Sequence, residues 1–279
     1  MPDLAPILRA LDFVERHLRT EVALEAIAGA AGYSVYHFCR LFNAATHHTP
    51  YDYLMRRRLS EAAQEVLGSD RPLIEIAFNH QFNSPETFSR AFKRMFDLQP
   101  SQARREGRLD RRRLLPPLDE AYLYHLVEGG CRFEALEKRD GLYVAGLMIA
   151  LEAGSRERIP ALWQRLLKEG MERRSPPACC GLTCYPEKGD PFYLAGVEIE
   201  RPEETPPTLV VKWLPPLTWA CFSHRSPYRT LPQSLAYVHH TWLAKSEHAL
   251  GYPVAVERYT TVPTRGEHYP EVQLRLPIR

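Results

Sequence analysis

The sequence lacks any long apolar run. No stretch of its 279 residues approaches the roughly 20 apolar residues that a helix needs to cross a bilayer. The N-terminus, MPDLAPILRALDFVERHLRT, has no signal-peptide core. We therefore expect a cytoplasmic protein with no membrane partner. The hydrophobic content of 44% and the charged content of 25% are typical of globular proteins, which excludes a disordered chain.

The motifs of metal, disulfide and phosphate chemistry are also missing. Three of the six cysteines cluster in CCGLTC, at Cys179, Cys180 and Cys184, but no C-x-x-C pair and no spaced histidine accompanies them. This pattern is typical of reduced cysteines in a core. Because no phosphate loop, Gly-x-Ser-x-Gly elbow or paired-carboxylate motif occurs, the sequence predicts neither a cofactor nor a metal site.

The net charge of +2 is small, but the basic residues are unevenly distributed. Between Ser34 and Arg113 there are 14 Lys+Arg against 9 Asp+Glu, a local net charge of +5. A basic region of this kind indicates a surface for an anion, with nucleic acid as the leading candidate.

Hydrophobic patterning divides the chain into two parts. Up to about residue 105, apolar residues recur at helical spacing, and the charged stretch EGRLDRRRLLPPLDE that follows predicts a linker. Strand, helix, strand, strand then occurs twice, from GLYVAGLMIAL to FYLAGVEIE and from LTWACFSHRS to EVQLRLPI. We therefore predict a multidomain α and α+β protein, with an all-helical domain over 1–108, a linker over 109–120 and a duplicated β-α-β-β domain over 121–279.

An internal repeat runs through the helical part. Ile27, Ala28 and Tyr33 recur 49 residues later as Ile76, Ala77 and Phe82. Four further residues recur 50 residues later: Phe38, Arg40, Phe42 and Pro50 become Phe88, Arg90, Phe92 and Pro100. Two copies of helix, tight turn and helix predict two helix-turn-helix motifs, whose second helices cover 34–46 and 84–96 and begin at Ser34 and Ser84 as caps.

The second helix of each copy presents a polar outer face. Such a helix fits the major groove of DNA, and two copies on one scaffold can enter successive grooves about 34 Å apart. Arg40 and Arg90 hold equivalent positions, and arginine bonds guanine bidentately. Lys93, Arg94 and the helix start at Ser84 suit phosphates. A single helix of this kind is ordinarily solvated surface, but the duplicated caps, aromatics and arginines favour DNA binding.

Residues 7–105 resemble the AraC/XylS-type transcription regulators, through LEAIAGAAGYSVYHFCRLF, RRRLSEAAQEVL and IAFNHQFNSPETFSRAFKRMF. The order of the two parts is similar to that of the Rob-like branch of this family. The resemblance implies base contacts from Arg40 and Arg90, with Tyr36, Cys39 and Thr87 in support.

The chain departs from the family pattern at two kinds of position. His47 and Asp97 stand where the family carries a left-handed glycine, and both residue types tolerate that conformation better than bulky apolar ones. Pro85 and Glu86 open the second recognition helix, where family members often carry amides. Because glutamate accepts from the amino group of cytosine and repels phosphate, we expect this half to read a different base pattern.

Residues 122–279 resemble the GyrI-like (gyrase-inhibitor-like) effector-binding domain, through IPALWQRLL, CFSHRSPYRTLPQSLAYVHHTWL, VAVERYT and EVQLRLPI. The resemblance implies a sheet-lined pocket between two halves that binds lipophilic, often cationic molecules. Glu257 interrupts an apolar strand, and a buried carboxylate there would favour a cation. The alternative is an outward-facing edge carboxylate paired with Arg258 or Arg275. Four aromatic residues are candidates for ligand contact or plain core: Trp163, Phe222, Tyr228 and Tyr259.

Together these patterns predict a ligand-responsive transcription regulator that binds double-stranded DNA and a small-molecule effector. The Rob-like resemblance implies an activator with RNA polymerase as a further partner. The main alternative is a small-molecule hydrolase in which Glu257 and Tyr259 activate water, because some GyrI-like domains resemble hydrolases. A third is a constitutive DNA-binding protein whose second domain only contacts partners.

Overall fold

The computed structural model describes residues 3–152, 155–168, 179–186, 189–259 and 272–279. They form two compact units, Met1–Glu128 with Ala236–Lys245 and Gly129–Leu235 with Ser246–Arg279. This division differs from the predicted one, since the predicted linker does not separate the units. Leu115 and Leu118 from that linker are buried in the core of the first unit. The segment Ala236–Lys245, here called the return segment, brings the chain back to the first unit.

The first unit contains the two predicted helix-turn-helix copies. Its helices are α1 (Ala5–Arg16), α2 (Leu24–Ala31), α3 (Val35–Thr46), α4 (Pro50–Gly68), α5 (Leu73–Asn79), α6 (Pro85–Phe96), α7 (Pro100–Glu106) and α8 (Glu120–Val127). Helices α2 and α3 form the first copy, and α5 and α6 form the second. The predicted duplication is therefore confirmed.

Helix α4 contributes to the cores of both copies. Tyr53 and Leu54, near its start, pack with Phe38 and Phe42 of α3. Its later residues, among them Leu59 and Ala62, pack with the aromatic side chains of α6. Because one continuous helix is buried against both, α4 fixes how the two copies stand within the first unit.

The left-handed positions occur where the sequence predicts them. His47 ends α3 at φ 57° and Asp97 ends α6 at φ 65°, in place of glycine. Gln81 (φ 63°) takes the same conformation in the turn of the second copy as Gly32 (φ 80°) does in the first. The predicted Ser34 cap is wrong in detail, because the Ser34 side chain makes no capping hydrogen bond.

The second unit is built on one antiparallel sheet. Its strands are β1 (Cys131–Arg139), β2 (Leu142–Ala150), β3 (Cys179–Cys184), β4 (Phe192–Ile199), β5 (Val210–Leu214), β6 (Leu217–His224), β7 (Val254–Tyr259) and β8 (Val272–Ile278). Helix α9 (Ile159–Lys168) belongs to the same unit, as does α10 (Leu231–Ala236) up to Leu235. The two β-α-β-β modules are present as predicted, and each is preceded by a strand that the prediction missed, β1 or β5.

The order of the strands shows that the sheet is pseudosymmetric. It runs β1-β6-β8-β7-β3-β4-β2-β5, so the two modules meet where β7 pairs with β3. The edge strands are exchanged, since β1 pairs with β6 of the second module and β5 with β2 of the first. At the central junction Gly181 of β3 lies opposite Glu257 of β7. The predicted effector residue therefore stands at the centre of the sheet.

The chain continues beyond α10 without leaving helical conformation. A π-helical turn follows at Tyr237–Trp242, and α11 (Leu243–Lys245) completes the return segment. None of the helices in the described part of the chain combines the length and the apolar character that a bilayer crossing requires.

Candidate nucleic-acid interface and ligand site

The outer faces of α3 and α6 expose equivalent positions. In each helix five side chains are exposed, and the two sets are related by the offset of 50 residues: Tyr36, His37, Arg40, Asn43 and Ala44 in α3, and Glu86, Thr87, Arg90, Lys93 and Arg94 in α6. Sequence reasoning did not single out His37 and Asn43, although applying the same offset to Thr87 and Lys93 would have found them.

Tyr36 and Arg40 form a joint feature on α3. Tyr36 is 75% exposed, and the guanidinium carbon of Arg40 lies 5.8 Å from the centre of its ring, a cation–π contact. Cys39 is only partly exposed and packs against the core beneath. An exposed tyrosine stacked on an arginine presents both a flat apolar surface and a bidentate donor to a partner.

The start of α6 is ordered by its cap. The Ser84 hydroxyl accepts from the backbone N–H of Thr87 at 3.1 Å, so this side chain already has a structural role. Glu86 lies in the first turn, where its own backbone N–H, Ser84 and, to a smaller extent, the charge of Arg90 lower the pKa of the carboxyl group. Glu86 is therefore an anion at neutral pH on the face that carries Arg90.

The arginines of the first unit fall into two groups. Arg57 is buried and bonds Glu15 through two nitrogens at 2.8 Å, and Arg58 donates to the backbone oxygens of Leu18 and Thr20. By contrast, among the described residues no carboxylate forms an ion pair with the four outer cations, Arg40, Arg90, Lys93 and Arg94. The buried arginines hold the fold, while the outer ones are available to an anion.

Glu257 is the central polar group of the second unit. Its side chain is 1% exposed on the sheet face that also carries Tyr193 and Tyr259. The Tyr259 hydroxyl donates to its Oε2, and the Tyr193 hydroxyl donates to the same atom at 3.0 Å. Its other oxygen, Oε1, is buried with no hydrogen-bond partner among the described residues. One half of this carboxylate is therefore satisfied and the other is not.

Aromatic side chains surround this carboxylate. Trp163 of α9 donates from Nε1 to the Tyr193 hydroxyl at 3.3 Å, and its ring meets Tyr259 edge-on at 5.5 Å. The Tyr228 hydroxyl lies 3.4 Å from that of Tyr259. The structure thus brings Trp163, Tyr228 and Tyr259 around Glu257 and adds Tyr193, which the sequence analysis missed.

Phe222 does not join this group. It lies two strands from Glu257, with Leu274 between them, and its ring packs edge-on against Phe133 at 5.5 Å. These contacts are those of a core residue.

Burial dominates the electrostatics of the site. Desolvation raises the pKa of Glu257, while the bond from Tyr259, the charge of Arg156 and the bond from Tyr193 act in the opposite direction. Burial and the charge of Glu257 raise the pKa values of Tyr193 and Tyr259, so both remain hydrogen-bond donors. A carboxylate held in this way is destabilised by its surroundings, and a cation close to Oε1 would stabilise it.

The alternative placement of Glu257 on an exposed edge is wrong. Strand β7 lies between β3 and β8 in the interior of the sheet. Arg258 follows Glu257 in the strand and so points to the other face, where it lies 3.8 Å from Glu198. Arg275 lies 3.2 Å from Glu137.

Gly181 leaves room for the Tyr193 hydroxyl beside Glu257. A Cβ at this position would lie 2.1 Å from the Tyr193 hydroxyl oxygen and 2.9 Å from Oε2 of Glu257. A glycine inside a strand often marks such a close approach. In CCGLTC the informative residue was therefore Gly181 and not the cysteines.

Two family models match this chain. Residues 27–106 match the helix-turn-helix domain, and residues 142–279 match the GyrI-like small molecule binding domain. The transcriptional regulator Rob of Salmonella typhimurium is 38% identical over 117 residues, which are 42% of this chain and 40% of Rob. The multiple antibiotic resistance protein MarA of Escherichia coli is 32% identical over 117 residues, which are 42% of this chain and 92% of MarA.

SAV2435 is one of several solved structures that are similar over about half of this chain. SAV2435 bound to tetraphenylphosphonium is similar over 53% of this chain and 93% of its own, with 18% identity and a TM-score of 0.43.

Two helix-turn-helix copies followed by a GyrI-like domain define a class of regulators with a small-molecule-binding domain. The chain belongs to the AraC/XylS-type transcription regulators, in the Rob-like group with a C-terminal GyrI-like domain. The matched region spans less than half of Rob's own length.

Proposed function

We propose that this protein is a cytoplasmic transcription regulator that binds double-stranded DNA through α3 and α6. The observation that carries the proposal is the matched pair of exposed arginines, Arg40 and Arg90, at equivalent positions of the two copies. Each would bond a guanine in one of two successive major grooves. Lys93 and Arg94 would contact phosphates, and Tyr36 and Thr87 would contact neighbouring bases or sugars.

We further propose that the second unit binds a lipophilic cation beside Glu257. The unsatisfied Oε1 and the rings of Trp163, Tyr228 and Tyr259 supply a counter-charge and cation–π surface in a buried setting. A bulky cation without hydrogen-bond donors suits this environment, because the tyrosine hydroxyls already satisfy Oε2. The effect on transcription is activation through contact with RNA polymerase, in line with the Rob-like group.

The DNA proposal is tested by selecting a binding site from random duplexes and measuring the affinity of variants for it. Arg40→Ala and Arg90→Ala should each weaken binding by about 1–3 kcal/mol and relax the base preference at one position, in different halves of the site. Arg16→Ala is the matched control, since Arg16 is an exposed arginine on α1 that pairs with Asp12. Unchanged affinity in both test variants, or an equal loss in the control, would contradict the proposal.

The contact between Tyr259 and Glu257 also supports the alternative of a hydrolase. In that case the full-length protein should hydrolyse electrophilic esters or epoxides, and Glu257→Gln should abolish the turnover. Binding of tetraphenylphosphonium without turnover of any such substrate would favour the sensor.

A further inference from the structure

We propose that the return segment, Ala236–Lys245, has a regulatory role. Its contacts hold the corner between α3 and α4, residues 46–52, and this connection is here called the tie. Through it the ligand-binding unit sets the position of the first recognition helix. The proposal rests on the proposed function, because it concerns how a ligand bound near Glu257 changes DNA affinity.

Thr241 is the centre of the tie. Its Oγ1 lies 3.1 Å from Nε2 of His48 and 2.9 Å from the Tyr122 hydroxyl. Nδ1 of His48 lies 2.8 Å from Oδ2 of Asp52 in the first turn of α4. Thr241, His48 and Tyr122 are buried, with 2%, 0% and 5% exposure. One threonine from the return segment therefore completes a buried chain of polar groups that begins at Tyr122 and ends at Asp52.

Further contacts of the return segment reach both sides of this corner. The ring of Tyr237 meets that of His47, the C-cap of α3, at 5.5 Å. Arg56 of α4 donates to the backbone oxygens of His240 at 3.5 Å and Ala244 at 3.2 Å. Because the end of α3 and the start of α4 are both held, a displacement of the segment changes the support of the recognition helix.

The helix-turn-helix fold does not itself require this polar arrangement. Fifty residues later the second copy has Leu98 in place of His48, Gln102 in place of Asp52 and Glu106 in place of Arg56. Its turn has a left-handed residue at the equivalent position, Asp97, but no buried histidine after it. A buried histidine is unfavourable unless its hydrogen bonds are made. Asp52 satisfies Nδ1 of His48, and Thr241 from the return segment satisfies Nε2.

A continuous helical path leads from the ligand site to Thr241. Tyr228, beside Tyr259, belongs to a short 3-10 turn that leads directly into α10. Ser234 anchors α10 to the sheet, 2.9 Å from Nδ1 of His224. The π-helical turn Tyr237–Trp242 then carries Thr241, and such turns are local irregularities that often lie at functional sites. A ligand that moves Tyr228 would therefore move the start of this path.

The test compares DNA affinity with and without tetraphenylphosphonium in the full-length protein. In the wild type we expect the cation to change the affinity for the selected site at least threefold. Thr241→Val keeps the shape of the side chain and removes the hydroxyl. The ratio of the DNA affinities measured with and without the cation should then fall to near one, while the cation still binds. Thr20→Val is the control, as Thr20 is an exposed threonine of the first unit, and it should keep the wild-type ratio.

A second variant tests the partner of Thr241. His48→Leu introduces the residue that the second copy has at the equivalent position. It should likewise remove the effect of the cation on DNA affinity. Combining it with Thr241→Val should then add nothing, because both changes remove the same contact. A wild-type ratio in either single variant would overturn the proposal, as would binding of the cation to the wild type with no change in DNA affinity.

Hydrogen exchange separates failure of the tie from failure of the ligand site. Should tetraphenylphosphonium not bind, the proposed ligand class is wrong, but the tie remains testable. Thr241→Val should raise amide exchange over residues 46–52 severalfold and leave the equivalent corner, residues 96–102, unchanged. If amide exchange over residues 46–52 were the same in the variant as in the wild type, the tie would be overturned independently of any ligand.

Discussion

Replacing Glu257 by glutamine is expected to have two effects of opposite sign. The unliganded protein should become more stable, and it should bind a lipophilic cation more weakly. Both effects follow from one property of the site, namely that a fully buried carboxylate has two tyrosine donors at Oε2 and no partner among the described residues at Oε1.

The expected gain in stability is modest. A buried group without its partner costs about 1–3 kcal/mol. The glutamine amide would still occupy the site of Oε1 without an acceptor, so we expect a gain of about 1–2 kcal/mol at pH 7. For a unit of this size that corresponds to roughly 2–8 °C in melting temperature.

The pH dependence provides a second criterion. The pKa of Glu257 is raised above its ordinary value of 4.5 by burial. Above pH 4.5 the folded state keeps a proton that the unfolded state has lost. The free energy of unfolding contributed by the protonated group is therefore lost as pH rises from 4.5 through the folded pKa. The advantage of the glutamine variant should therefore be absent near pH 4 and grow with increasing pH.

The ligand effect comes from the lost charge. We expect the affinity for tetraphenylphosphonium to fall about tenfold to hundredfold, or roughly 1.4–2.7 kcal/mol, which is less than the bare attraction of two buried charges because desolvation opposes it. Calorimetric titration and thermal unfolding between pH 4 and 8 measure both effects. Glu198→Gln is the control, since Glu198 is partly exposed near Arg139 and Arg258 and should leave cation binding unchanged. A less stable Glu257→Gln variant, or one with unaltered cation affinity, would refute this account of the site.

Two further predictions concern packing and protonation. Gly181→Ala should lower the free energy of unfolding by about 1–3 kcal/mol and block cation binding, whereas Gly29→Ala, whose Cβ would meet nothing within 4 Å, should be neutral or stabilising in urea unfolding. Burial lowers the pKa of His239 to about 3 and that of His240 to about 4, from 6.5. Because the unfolded state takes up these protons first, stability should fall below pH 6.5, by about 2 kcal/mol at pH 5 for His239 alone. Urea midpoints that stay constant between pH 7 and 5 would contradict the buried placement of these histidines.

The helical half was predictable because its determinants are local. Aromatic residues at helical spacing define the buried faces of α3 and α6, and the repeat aligns their outer residues. These features depend on short-range sequence, so one chain is sufficient to read them. The left-handed conformations of His47 and Asp97 were instead expected from the family resemblance, because the family carries glycine at both positions.

The sheet was predicted less completely because its pairing is not local. Strand β1, CRFEALEKR, is largely exposed and lacks an apolar stripe, and β5 has only five residues. Both are edge strands that pair with the opposite module, which no sequence spacing indicates. Tyr193 was missed for the same reason, since its closeness to Glu257 depends on β4 and β7 both pairing with β3.

The return segment shows a further limit of pattern reading. TLPQSLAYVHHTWLAKS correctly predicts a helix, but periodicity does not tell which core each part of the helix joins. Its first turns pack in the ligand-binding unit, and its later turns supply polar contacts to the first unit.

A single helix shared in this way limits how strongly a ligand can act. The change in DNA affinity cannot exceed the difference in the ligand's affinity for the two positions of the helix. Because the tie at Thr241 consists of a few hydrogen bonds rather than a large apolar contact, we expect a response of several-fold to hundredfold, and not an all-or-none release of DNA.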